Sequence, residues 1–341
     1  MKRSKEQTST PSLPNDLESS PVKSAIEKYA DNPSAFLALN DGNETFSVPG
    51  TEGVIVYRGA GRYLIQFGGV FAPEEQRAEL LRAFREFAAH KRRRVVAMQL
   101  QAADTGLYES EGFVINQVGA SYSVNLADFS LRGSKFVKLR NKISRAGRSG
   151  LEVREVDFDG YRDQLAEVDG NWLRSKGRHV KEIEFLVGQL GGPAQKHRRL
   201  FVGLLEGAPI AYISYSPSYG STPGWLHDLS RRIADPPPGV MEALNSTAMG
   251  VFREEGAQWL HFGFTPFTTL RPEHERESHS PVTAKFMKFL AEHGESVYPS
   301  RSQLAYKEKW GPHLVLPEYL AFEGRVRPGA IWQILRVTKS I

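Results

Sequence analysis

From Ala25 onward, apolar residues fall into short alternating or continuous runs separated by glycine-containing turns. Val54-Ile55-Val56-Tyr57 and Tyr63-Leu64-Ile65-Gln66-Phe67 read as strands, and Phe36 with Leu37 as part of another. Arg58-Gly59-Ala60-Gly61-Arg62 lies between two strands with no helix after it, so it predicts a tight hairpin and not a phosphate loop. Pro73 opens a helix whose apolar face carries Leu80, Leu81, Phe84 and Phe87. Val95 to Leu100 and Ala120 to Leu126 read as further strands. The second half repeats this order. Leu200 to Leu205 and Ile210 to Tyr215 flank Glu206-Gly207, a hairpin signal; then come the strand Trp225 to Leu229, a helix from about Gly239 to Glu255, the strand Trp259 to Phe264, and a helix near Val282 to His293.

Two α+β units in one order suggest an internal duplication. The expected organisation is a disordered arm over 1–22, a first domain over 23–130, a basic connecting helix over 131–150 and a second, catalytic domain over 151–341. The arm is rich in Ser, Thr, Pro, Lys and Glu and has too little apolar surface to order itself. The connecting segment carries seven cationic residues between Arg132 and Arg148 and no acidic one. Read as one helix, Lys135, Lys138, Lys142 and Arg145 share a sector beside the apolar Phe136, Leu139, Ile143 and Ala146. A cationic face is ordinarily just solvated. Two more basic clusters, Arg174 to Lys181 and Lys196 to Arg199, make a phosphate-backbone track the competing reading.

Composition narrows the chemistry. The chain has 341 residues, a net charge of +5 and no cysteine, which excludes disulfides, zinc–thiolate sites and a thiol nucleophile. No apolar run is long enough to span a bilayer and no secretion signal is visible, so the expected location is cytoplasmic. His274 and His279 lack metal-ligand spacing, and no metal is expected.

The most informative stretch is Trp225 to Leu244: a strand carrying Asp228, Arg231 and Arg232, a turn through Pro236, Pro237 and Pro238, and a helix entry. Such junctions hold anionic donors on free backbone N–H groups, but prolines have none to offer, so a coenzyme A cradle is poor here. Asp228 reads either as a charge partner for Arg231 at a strand end or as a functional carboxylate. His227 alternates with Asp228 and should face the other way.

The basic segment Leu139 to Ala146, His-Asp-Leu-Ser-Arg-Arg (227 to 232), Pro-Pro-Gly-Val-Met-Glu-Ala-Leu (237 to 244) and Tyr-Lys-Glu-Lys-Trp-Gly-Pro (306 to 312) resemble the soluble C-terminal domain of bacterial phosphatidylglycerol lysyl- and alanyltransferases over about Ala25 to Tyr319. That resemblance implies two tandem GCN5-type acetyltransferase-like folds, the second carrying the active site, with aminoacyl-tRNA as co-substrate and no bound cofactor. It also implies functional roles for Asp228, Arg231 and the lysines of 307 to 309. On this reading Asp228 and Arg231 are catalytic, Arg232, Thr265, Lys307 and Lys309 bind substrate, and Lys135, Lys138, Lys142 and Arg145 hold tRNA. The lipid-modifying relatives carry a membrane-spanning region, whereas soluble relatives load an amino acid onto small acceptors, as in seryl transfer to an alkylhydroxylamine in valanimycin-type antibiotic biosynthesis. The expected acceptor is therefore a small hydroxyl, hydroxylamine or amine compound, with lipid as the alternative and membrane contact at most peripheral. A CoA-dependent N-acyltransferase and a non-catalytic tRNA-binding protein are the rival classes.

Overall fold

The first five strands of each half pair in chain order, and the sixth crosses to the other half, so that the two halves share one sheet. A computed structural model describes residues 8–10, 17, 20–176, 184–294 and 298–340. The first half comprises β1 (Thr8–Thr10), α1 (Pro21–Tyr29), β2 (Glu44–Ser47), β3 (Val54–Ala60), β4 (Tyr63–Phe71), α2 (Glu74–His90), β5 (Arg94–Leu100), α3 (Ala102–Ser110) and β6 (Phe113–Asn125). The second comprises α4 (Val137–Arg148), β7 (Glu152–Val156), α5 (Arg162–Lys176), β8 (Arg199–Leu205), β9 (Ala208–Ser218), β10 (Gly224–Arg232), α6 (Val240–Glu254), β11 (Trp259–Pro266), α7 (Pro281–His293), α8 (Ser300–Glu308), β12 (Leu314–Glu323) and α9 (Pro328–Val337).

Each half runs antiparallel strands into one parallel pair bridged by a helix: β4 and β5 across α2, and β10 and β11 across α6. This is the expected repetition of one α+β order in the two halves. The halves interlock, because the sheet order is β1-β2-β3-β4-β5-β12-β6-β11-β10-β9-β8-β7. The last strand of the second half, β12, lies between β5 and β6, and β6 of the first half pairs with β11 of the second. Each half completes its neighbour's sheet.

Strand alternation sorts the core onto two faces. Along β12, Tyr319 and Ala321 join one cluster while Leu320 and Phe322 join another. Trp225 and Leu226 divide likewise on β10. One face is covered by α2, α4, α6 and the end of α8, the other by α1, α5, α7 and α9. Among the described residues no helix is long and apolar enough to cross a membrane.

Three expectations change. Phe36 and Leu37 sit in a buried 3-10 turn, Ala35–Leu39, and not in a strand. The basic helix begins as a separate 3-10 turn, Ser134–Phe136, so Lys135 precedes α4. Of the arm expected to be disordered, Thr8–Thr10 pair with β2, Leu17 is buried and Pro21 begins α1; residues 1–7, 11–16, 18 and 19 lie outside the described residues. Arg178, His179 and Lys181 of the second basic cluster also lie outside them.

Gly239 fixes how α4 meets the entry of α6. It has φ +94°, and a Cβ there would lie 2.1 Å from the backbone oxygen of Lys142. Gly239→Ala combines left-handed strain with a backbone collision, and should cost at least about 1–3 kcal/mol. A denaturant midpoint unchanged from wild type would show that α4 does not press on this turn.

Candidate active site

β10 and β11 pair only from Gly224–Trp259 to Leu226–His261, after which they part. Both strands carry a register irregularity just beyond this point. On β10 the pairing with β9 steps from His227–Tyr215 to Leu229–Ser214, leaving Asp228 as the extra residue of a bulge; on β11 the pairing with β6 shifts between His261 and Phe264. Bulges bend a strand and re-aim its side chains. Here they open a split in the sheet with His227 and Asp228 at its vertex.

Asp228 turns to the α5 face, where its side chain is fully buried with that of Arg198, whose Nε donates to Oδ2 at 3.3 Å. Ser216 Oγ donates to the same oxygen. Arg198 also donates to Asn40 Oδ1 at 2.6 Å, which ties this carboxylate to the first half. The loop before β8 closes over it: Gly188 N donates to Asp228 O at 2.9 Å, and a Cβ on Gly188 would lie 2.4 Å from Asp228 Cγ. Oδ1 of Asp228 is buried with no hydrogen-bond partner among the described residues.

The Asp228–Arg231 pairing that the sequence left open is thus not formed, and Asp228 pairs with Arg198 instead. Arg231 is buried and stacks on Trp172 of α5, 4.0 Å from the ring centroid, while Nη1 donates to Ser230 O at 2.9 Å. Arg232 is exposed at the strand end. Thr265 is fully buried and its Oγ1 has no partner among the described residues.

Lys307 projects from α8 onto the parted strand. Its Nζ donates to Gly263 O at 2.7 Å and Phe264 O at 3.0 Å, carbonyls of the irregular part of β11. Burial pushes this amine down to about 7, against the opposing field of Glu318. Glu318 on β12 is buried, accepts from Ser121 Oγ, and is pushed up to about 7 by burial. A neutral amine that donates two protons to carbonyls keeps its lone pair for a third partner. On the same face, His227 packs edge-on to Tyr215 and Tyr306 and beside Phe262. Burial, then the neighbouring charge of Lys307, pushes its imidazole down to about 3, so it is neutral.

Lys309 is distinct from Lys307. It donates to Glu242 Oε1 at 2.7 Å and lies over the Tyr306 ring, 3.7 Å from the centroid. Lys142 of α4 reaches the same Glu242 oxygen at 3.1 Å. Burial alone would raise the Glu242 carboxyl; its bonds from Lys309 and Lys142 hold it below the usual range. Lys138 and Arg145 stay exposed, as does Lys135, which lies over Phe136. The cationic surface of α4 thus runs through Lys142, Glu242 and Lys309 to the neighbourhood of Lys307.

Two arginines of the third basic cluster are committed to acids. Arg198 is buried with Asp228, and Arg199 is held by Glu155, its Nε 2.5 Å from Oε1, and by Glu255. Sequence reading missed Arg198, Ser216, Glu242 and Glu318 as members of the site. An arginine in a basic run carries no local sign that a bulged aspartate from another strand will meet it. Among the described residues no group of three or more His, Asp or Glu side chains is placed to hold a metal ion.

The family described as phosphatidylglycerol lysyltransferase, C-terminal, matches residues 23–322. The phosphatidylglycerol lysyltransferase of Bacillus subtilis strain 168 is 26% identical over 289 residues, 83% of this chain and 32% of that protein. That of Staphylococcus epidermidis RP62A is 22% identical over 324 residues, 93% of this chain and 37% of that protein. The chain thus spans about a third of the length of these curated relatives. The fold is shared with the structure of L-PGS from Bacillus licheniformis, at a TM-score of 0.77 and 23% identity over 96% of this chain and 98% of that one. It is shared too with the C-terminal domain of a putative lysylphosphatidylglycerol synthetase from Agrobacterium fabrum, at a TM-score of 0.76 and 22% identity over 94% and 97% of the two chains.

Proposed function

Because the chain belongs to the family of the phosphatidylglycerol lysyltransferase C-terminal domain, we propose that it transfers an aminoacyl group from a charged tRNA to an acceptor hydroxyl in the split between β10 and β11. The observation that carries this reading is Lys307: a buried amine held on the carbonyls of Gly263 and Phe264 in the parted strand, which burial pushes down to about 7. An aminoacyl ester is already activated, so the protein needs only to orient the reactants and move one proton. The acceptor oxygen attacks the ester carbonyl while Lys307 Nζ takes the hydroxyl proton. The carbon–oxygen bond to the tRNA's terminal ribose then breaks, and the proton goes to the departing ribose oxygen. Asp228, with one oxygen unpartnered, holds the α-ammonium group of the aminoacyl moiety. Arg232, exposed at the end of β10, flanks the approach, and Lys309 meets the tRNA 3′ end.

The curated relatives are named phosphatidylglycerol lysyltransferases, and we therefore take a phospholipid head-group hydroxyl as acceptor. The small-molecule acceptor expected from the sequence rested on the lack of a membrane-spanning run and gains nothing from the site. The decisive assay is transfer from radiolabelled aminoacyl-tRNA to phosphatidylglycerol and, in parallel, to small amines and hydroxylamines, with and without ribonuclease. Transfer that survives ribonuclease ends the tRNA reading.

The donor is proposed to lie along α4. Lys138→Glu with Arg145→Glu should weaken full-length tRNA binding and reduce the log–log salt slope by about one unit per lost phosphate contact. The fold should be kept, because both side chains are exposed and the buried Phe136, Leu139 and Ala146 are untouched. Transfer from an aminoacylated short 3′ end should fall much less than transfer from whole tRNA. An unchanged salt slope would place the donor elsewhere.

A further inference from the structure

α7 is attached to the body by few side chains and presents apolar surface outward. Thr283 and Met287 are its buried positions, and Met287 joins the core on the face that bears α1, α5 and α9. Beside them, Val282, Phe286 and Phe289 recur at i, i+4 and i+7 along a stripe that ends at His293. They are 78%, 42% and 56% exposed, half of the exposed large apolar side chains among the described residues. Phe289 stacks on His293 with centroids 4.9 Å apart, which holds that ring at the surface. Lys285 and Lys288 are exposed along the flank of the stripe, and the one acid of the helix, Glu292, lies in its last turn. On the same sheet face, α9 carries a further exposed aromatic, Trp332, at 55%.

We propose that α7 is a membrane-contact helix that lies in the interface of an anionic bilayer, with Val282, Phe286 and Phe289 in the acyl boundary and Lys285 and Lys288 at the head groups. The proposal rests on the lipid-acceptor reading above and adds to it the surface through which the protein meets the bilayer. The observation favouring a bilayer is the combination on one helix: an outward aromatic stripe, short on polar atoms, edged by two cations that no described acid neutralises. The position of α7 fits this role. Its core residue faces away from the cluster that seats α4, so a polyanion on α4 and a bilayer under α7 occupy opposite faces of the sheet and do not compete.

The test is co-sedimentation of the whole chain with vesicles, without tRNA, using phosphatidylcholine alone and phosphatidylcholine mixed with phosphatidylglycerol. The wild type should bind the mixed vesicles at least tenfold more strongly than the neutral ones. Phe286→Ser with Phe289→Ser should lose binding to both by roughly tenfold or more, and Lys285→Glu with Lys288→Glu should abolish the preference for anionic vesicles. Both variants should keep the wild-type melting temperature and wild-type transfer to a water-soluble short-chain acceptor. Vesicle binding unchanged in the serine variant would overturn the proposal. So would a wild type that does not sediment, or a concentration-dependent dimer that the serine variant abolishes, which would make the stripe a self-association surface. Because binding is read without donor or turnover, vesicle binding without aminoacyl transfer sinks the lipid-acceptor reading and leaves the contact helix standing. Transfer without vesicle binding does the reverse.

Discussion

Lys307→Met should lower aminoacyl turnover by roughly a hundredfold to ten-thousandfold, the range for removing a general base. The wild-type rate should rise with pH through about 7 and then level, because burial pushes the Lys307 amine down to about 7 and the amine accepts a proton only once it has lost its own. The sign separates this role from its opposite. Were Lys307 needed as a cation to steady the developing oxyanion, the rate would fall across the same interval. Lys307→Arg sharpens the contrast, since a guanidinium can still donate to Gly263 O and Phe264 O but does not deprotonate in this range. The arginine variant should be as inactive as the methionine variant while remaining better folded. Methionine leaves two carbonyls without their donor, at about 1–3 kcal/mol each where they are buried, so melting temperature must be measured beside turnover. Methionine or arginine variants within threefold of wild type would assign the proton to another group.

Arg198→Met should be the most destabilising single change at the site. It leaves Asp228 as an uncompensated charge inside the protein and strips a partner from Asn40, and breaking a buried pair from one side costs about 3–5 kcal/mol. Asp228→Asn in the Arg198→Met background should recover part of that loss, because the buried charge is then gone; the double variant should be more stable than Arg198→Met alone. Chemical denaturation of the four proteins gives the coupling directly. An additive cycle would mean that Arg198 and Asp228 do not sense each other. Activity adds a separate readout. Asp228→Asn keeps the shape of the site but removes the charge proposed to hold the α-ammonium group, so KM for the aminoacyl donor should rise even where stability is restored.

These expectations turn on features that differ in how legible they were. The hairpin at Glu206-Gly207, the strand that becomes β10 and the helix that becomes α6 were all readable, because alternation, turn residues and helical spacing are local properties. So was the opposition of His227 and Asp228 across the strand, although the bulge that places Asp228 was not. A bulge depends on how many residues the neighbouring strand offers, and β9 is not part of the β10 sequence. The basic clusters read alike in sequence and separated in three dimensions: α4 kept its cations in water, whereas Arg198 went inside and Arg199 was claimed by two glutamates.

The sequence by itself determined the runs β3-β4-α2-β5-β6 and β8-β9-β10-α6-β11-α7, the likeness of the two halves, the cationic sector of α4 and the short set Asp228, Arg231, Lys307 and Lys309. The elements and the cationic sector follow from periodicities that each segment carries alone, whereas those four residues stand out through the resemblance of their segments to a known family. Only the tertiary structure decided that β12 and β6 interlock the halves, that Asp228 is held by Arg198 and Ser216 and not by Arg231, and that Lys307 and Lys309 have different partners two residues apart. Each of those outcomes depends on groups distant in the chain competing for the same buried space. The charge state of a buried amine is set by that space and not by its neighbours in sequence.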